Sequence, residues 1–186
     1  WVRWFAYDYG YNSFAAGLWF TRDPSTERIY IYREFYESEM AVSKQAEQII
    51  MIDQSEGIRL RLADPSIWKQ SGNVETGENI ATIFQKSDLI FQPANNDRLA
   101  GKNVIHEMLA PAADGLPKLQ VFSNCVNFIR TVPALPIDQN RPEDIDTRAE
   151  DHIYDCARYG LINQRPGTMP EPQINQNLVN QRQKYA

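Results

Sequence analysis

The chain has 186 residues, enough to bury one full core, and its 42% hydrophobic and 23% charged residues are those of a globular protein rather than a disordered one. Its net charge of −5 argues against nucleic-acid binding by the whole surface; no apolar run approaches the roughly 18 residues of a membrane span, and no signal peptide is visible, so a cytosolic protein is expected. Cys125 and Cys156 form no CxxC, and His106 and His152 are the only histidines, which argues against zinc and makes any metal a hard cation held by carboxylates.

The chain opens on Trp1 inside an apolar run, as a domain taken from a longer polypeptide would. Residues 1–8, 13–21 and 28–36 are rich in aromatic and branched side chains and are separated by short Gly-, Asn- and Pro-containing gaps, the pattern of an antiparallel meander. In the third run Ile29, Ile31 and Arg33 alternate with Tyr30, Tyr32 and Glu34, as in a half-buried strand. Residues 41–55 then change to a helical period carried by Val42, Ala46, Ile49, Ile50 and Ile52. A strand follows at 60–63, ended at Asp64 by Pro65, which disfavours helical geometry in the residue before it.

A helix over about 77–86 and a strand over 89–92 continue the alternation. Asn95 to Asp97 cap a helix over 98–109, in which Leu99, Val104, Ile105 and Met108 face the core. A strand is expected over 118–122 and a short helix over 124–132, stopped by Pro133. After a proline-rich loop, Thr147 and Glu150 form a capping box for an acidic helix over 147–161. Ile153, Ala157 and Leu161 give that helix one apolar stripe; Asp151 and Asp155 share another face, with His152 beside them and Arg158 placed for an i,i+3 ion pair with Asp155. The domain is set at 1–163, with 164–186 a polar, poorly ordered tail.

Asp8 and Asp64 each close a predicted strand, where an open α/β sheet collects its ligands. With an acid from the last helix they are the raw material of a metal-dependent phosphodiesterase. Taken one at a time these acids have ordinary alternatives: Asp8 before Gly10 suits a hairpin turn, Asp64 suits a strand exit or helix cap, and Asp144 and Asp146 suit turns and caps. Arg98 and Lys102, on one helix face, are the cations set nearest to DNA, followed by Lys69 and Lys86; a solvated face is the plainer account of all four.

The order of elements, three meander strands followed by helices and strands in alternation, is that of the ribonuclease H-like α/β fold, a mixed sheet flanked by helices. Within it, DYG at 8–10, REFY at 33–36, LADPS at 62–66, NDRLAG at 96–101 and EDIDTRAEDHIYDCARY at 143–159 resemble the nuclease domain of tailed-phage large terminases. The resemblance implies an endonuclease that cuts concatemeric viral double-stranded DNA during packaging in the host cytoplasm, using two Mg²⁺ or Mn²⁺ ions. Its implied ligands are Asp8 and Asp64, with Asp151 as the first choice from the last helix, Asp155 as the second, and His152 as a further possibility. Its implied partners are an ATPase domain, for which no GxxxxGK[ST] loop occurs here, a small terminase subunit, and the portal of the procapsid. A non-catalytic docking module of the same fold is the alternative, and an actin-like nucleotide-binding domain a weaker one.

Overall fold

The structure, a computed structural model, describes residues 1–69 and 78–162. The expected tail from 164 onward and the first residue of the helix expected at 77–86 lie outside the described residues. Six strands form one mixed sheet in the order β5-β4-β1-β2-β3-β6. Strands β1 (Val2–Asp8), β2 (Ala15–Arg22) and β3 (Ile29–Glu37) are the antiparallel meander, while β4 (Leu60–Ala63), β5 (Gln92–Pro93) and β6 (Leu119–Val121) join in parallel. This is the ribonuclease H-like arrangement expected from the order of elements.

Successive side chains on a strand point to opposite faces, and β1 buries both. Trp4 and Ala6 face a core built with α3 (Arg98–Leu109), α4 (Val126–Thr131) and α5 (His152–Leu161). Phe5 and Tyr7 face a second core built with α1 (Val42–Asp53) and α2 (Ile80–Lys86). Burial from both sides explains why β1 and β2 are almost continuously apolar instead of alternating.

Several boundaries differ from expectation for identifiable reasons. The alternation in β3 breaks at Tyr32: Trp19 pairs with Arg33 but Phe20 with Ile31, so the extra residue sends Ile31 to one core and Phe35 to the other. Strand β5 shrinks to two residues at the sheet edge, where Pro93, which lacks an N–H, is tolerated. The last helix begins at His152, not at Thr147. Its proposed capping box does not form because Glu150 accepts from Tyr36 at 2.8 Å and from Arg130 at 2.6 and 2.9 Å. Nor is α5 apolar on one stripe only. Lying between the sheet and the helices α3 and α4, it buries Tyr154, Cys156, Arg158 and Tyr159 as well as Ile153, Ala157 and Leu161.

Candidate active site

The central strand and the last helix are held together by three regularly spaced contacts. Trp4 Nε1 donates to the Gly160 carbonyl at 2.8 Å, Cys156 Sγ donates to the Ala6 carbonyl at 2.8 Å, and His152 Nδ1 lies 3.0 Å from Asp8 Oδ2. Each step is two residues forward on β1 and four back on α5. Two strand residues rise about 6.6 Å and four helix residues about 6 Å, so the two elements run antiparallel in near register. The third contact falls at the C-terminal end of β1, where the candidate site lies.

The neighbouring parallel strand supplies the second acid at the same level. Tyr7 pairs with Ala63, so Asp8 and Asp64 follow side by side, and the Asp64 N–H donates to the Tyr7 carbonyl at 3.3 Å. Asp64 also caps the 3-10 turn Pro65–Trp68, Oδ1 accepting from the Ser66 N–H at 2.6 Å. Oδ2 accepts from the Tyr159 hydroxyl at 2.7 Å. Partial burial works to raise the Asp64 pKa, but hydrogen bonds from Ser66, Tyr159 and Asn96 outweigh it and hold this carboxylate below its usual range.

Asp8 behaves in the opposite way. Burial, aided by the nearby charges of Asp155 and Asp64 and only partly offset by His152, raises its pKa to about 6. The bond to Asp8 in turn raises the pKa of His152. Asp155 stands within electrostatic reach of Asp8, while its own oxygens are held from behind. Oδ1 accepts from Arg158 Nη2 at 2.7 Å and Nε at 3.0 Å, and Oδ2 lies 3.3 Å from Arg98 Nη1.

Asp151, four residues earlier, is placed differently. It is 6% exposed, lies 3.6 Å from Arg98 Nη2, and has its pKa raised to about 6 by burial and by Asp155. Asp155 and Asp64 are the acids that weigh most on Asp8. The structure therefore gathers Asp8, Asp64 and His152 at the ends of β1 and β4 with Asp155 in electrostatic reach, while Arg98 contacts both Asp155 and Asp151.

Arg98 does not occupy the outward position expected of a phosphate contact. Its Nε bonds Asp144 Oδ2 at 2.9 Å, and with Asp151 and Asp155 it faces three carboxylates. None of the three is near it in sequence, so spacing along its own helix could not reveal them. Asp144, expected to be a turn residue, is its buried partner. Lys102 donates to the Glu143 carbonyl at 2.5 Å, Lys69 is exposed at the end of the turn after Asp64, and Lys86 pairs with Glu78. Tyr159 was missed, although it lies four residues past Asp155 and seven past His152 on the same helix face.

The donors gathered here are carboxylate oxygens with one imidazole, the chemistry of a hard divalent cation. Asp8, buried against two further acids, is the group whose ionisation a cation would favour most. As the side chains stand, no three of these groups among the described residues converge as a ready ligand set, because each is engaged by His152, Tyr159, Arg98 or Arg158.

Fold and site together define a ribonuclease H-like α/β domain with acids at the ends of two adjacent parallel strands and on the last helix. Among solved structures it is similar to phage large terminases. The large terminase of a thermophilic bacteriophage in complex with ADP matches 89% of this chain at 15% identity with a TM-score of 0.71; the chain covers 40% of it, about two fifths of that protein's length. The large terminase nuclease domain of P22 matches 86% of the chain at 19% identity and a TM-score of 0.64, with 79% of that domain covered. The large terminase nuclease domain of bacteriophage SPP1 with bound Mn matches 85% at 17% identity and 0.61, with 84% covered. No family model matches the chain, and neither does any curated protein sequence.

Proposed function

We propose that this domain is a divalent-cation-dependent endonuclease that cuts viral double-stranded DNA during genome packaging, working beside an ATPase domain in a large terminase. The observation that carries the reading is the side-by-side placement of Asp8 and Asp64 on β1 and β4, with Asp155 close enough to help raise the Asp8 pKa. Similarity to terminase nuclease domains, one of them holding Mn, supports it from outside the chain. A small terminase subunit and a portal complete the assembly this reading implies.

In this proposal Asp8, Asp64 and Asp155 hold Mg²⁺ or Mn²⁺, with His152 at the edge of the site. The bound ions would supply activation of the attacking water and stabilisation of charge on the leaving oxygen. Asp8 would be the most firmly placed of these ligands, because its strand is central and braced on both faces. The Tyr159 hydroxyl fixes the orientation of Asp64, and His152 Nδ1, 3.0 Å from Asp8 Oδ2, orients the Asp8 carboxylate. Asp155 is preferred to Asp151 as the third acid, since Asp155 is the one that weighs on Asp8 and the less buried of the two.

Incubating the domain with supercoiled plasmid in Mn²⁺, Mg²⁺ or EDTA tests this. Cleavage is expected with either cation and none in EDTA; Asp8→Asn and Asp155→Asn should each lose 10²-fold or more in rate, and Asp151→Asn far less. A domain that leaves plasmid intact under every cation is a docking module instead.

A further inference from the structure

We infer that Arg158 is a positioning residue for the cation site, acting through Asp155, and that Gly101 on α3 is the seat that keeps it in place; this rests on the reading of Asp155 given above. Arg158 is 2% exposed and is among the largest fully buried side chains. It cannot touch DNA. A buried guanidinium is costly unless its geometry is used, and here Nε and Nη2 both point at a single oxygen, Asp155 Oδ1, at 3.0 and 2.7 Å.

That fork anchors Oδ1 and leaves Oδ2 as the more weakly held oxygen, the one assigned here to a cation. The hold on Oδ2 is the weaker one: Arg98 Nη1 reaches it at 3.3 Å, while the best bond of Arg98 goes to Asp144 at 2.9 Å. One oxygen is thus anchored and the other exchangeable, as a ligand awaiting a cation should be. The stem of Arg158 is set by the neighbouring helix. A Cβ at Gly101 would stand 2.9 Å from Arg158 Cβ and 3.0 Å from its Cγ and Cδ, so α3 can approach this closely only where it carries glycine.

Two substitutions that conserve charge separate positioning from bulk electrostatics. Arg158→Lys keeps the positive charge but loses the fork; Gly101→Ala alters no charge and pushes the Arg158 stem aside. Mn²⁺ binding is measured by calorimetry at a temperature where thermal unfolding shows each variant folded, followed by plasmid cleavage at saturating Mn²⁺. The Mn²⁺ dissociation constant should rise tenfold or more in Arg158→Lys and by a smaller factor in Gly101→Ala, with kcat falling and KM for DNA unchanged.

Variants that melt earlier yet bind Mn²⁺ and cut DNA like the parent would show a merely structural arginine and overturn the inference. Should KM for DNA rise with kcat unchanged, Arg158 would act on substrate and not on Asp155, which overturns it equally. A parent domain that binds no Mn²⁺, with Asp8→Asn behaving identically, overturns the cation reading and this inference with it, an outcome distinct from the other two.

Discussion

Asp8 shows what enclosure does to one carboxyl group. Its pKa is about 6 in the folded protein against an ordinary 3.8, so the folded state binds this proton more tightly than the unfolded chain does. The stability associated with the protonated form is complete below pH 4 and is lost as pH rises through 6. In EDTA, Asp8→Asn should therefore be more stable than the parent at pH 8 by about 1–3 kcal/mol, the neighbouring His152 offsetting part of the cost, and the advantage should vanish by pH 4. Urea unfolding of both proteins across that range checks it; a difference independent of pH would show that ionisation of Asp8 carries no such cost. The position of this residue at a strand end was legible in the sequence, from the apolar run before it. Its pairing with His152 was not, since nothing local connects residues 144 positions apart.

At the scale of elements, the helix α3 was read from the sequence with its observed bounds, and so was β4, because a capping residue or a proline marks their ends and the periodicity fills the interior. The start of α5 was misread because Glu150 answers to Tyr36, 114 residues away, and to Arg130, rather than to its own helix. Tertiary partners override a local cap, and only the fold reveals them. The sequence leaves the choice between Asp151 and Asp155 open for the same reason: they lie four residues apart, Arg98 on another helix contacts both, and what favours Asp155 is its influence on Asp8, a residue of the first strand. The seating of α5 on the sheet is tight enough to test directly. A Cβ at Gly160 would lie 2.4 Å from the ring of Phe20, which is itself stacked on Trp4 at 5.4 Å and cannot yield. Gly160→Ala should cost about 1–3 kcal/mol in thermal unfolding and shift α5 off its register. An unchanged melting temperature would mean that this packing is looser than the distances say.

At the scale of the whole molecule, a chain of net charge −5 that acts on DNA, as proposed, would meet it through a local patch. Of the four cations named from the sequence, Arg98 faces three carboxylates and Lys86 pairs with Glu78, which leaves Lys69 and Lys102 as the proposed DNA contacts. Lys69→Ala together with Lys102→Ala should weaken DNA binding and reduce the magnitude of its salt dependence by about 0.9 per lost phosphate contact, leaving Mn²⁺ affinity unchanged. Binding titrations at several salt concentrations decide this, and parallel slopes for parent and variant would place the DNA path elsewhere. The three contacts between β1 and α5 span 144, 150 and 156 residues, almost the whole described chain. During synthesis β1 therefore waits for α5, and Asp8 has neither His152 nor Asp155 beside it until α5 has left the ribosome. Premature termination, or proteolysis ahead of α5, yields a fragment without a site, so on the proposed reading the capacity to cut DNA appears in a single late step and incomplete chains are harmless to the genome they are made to package.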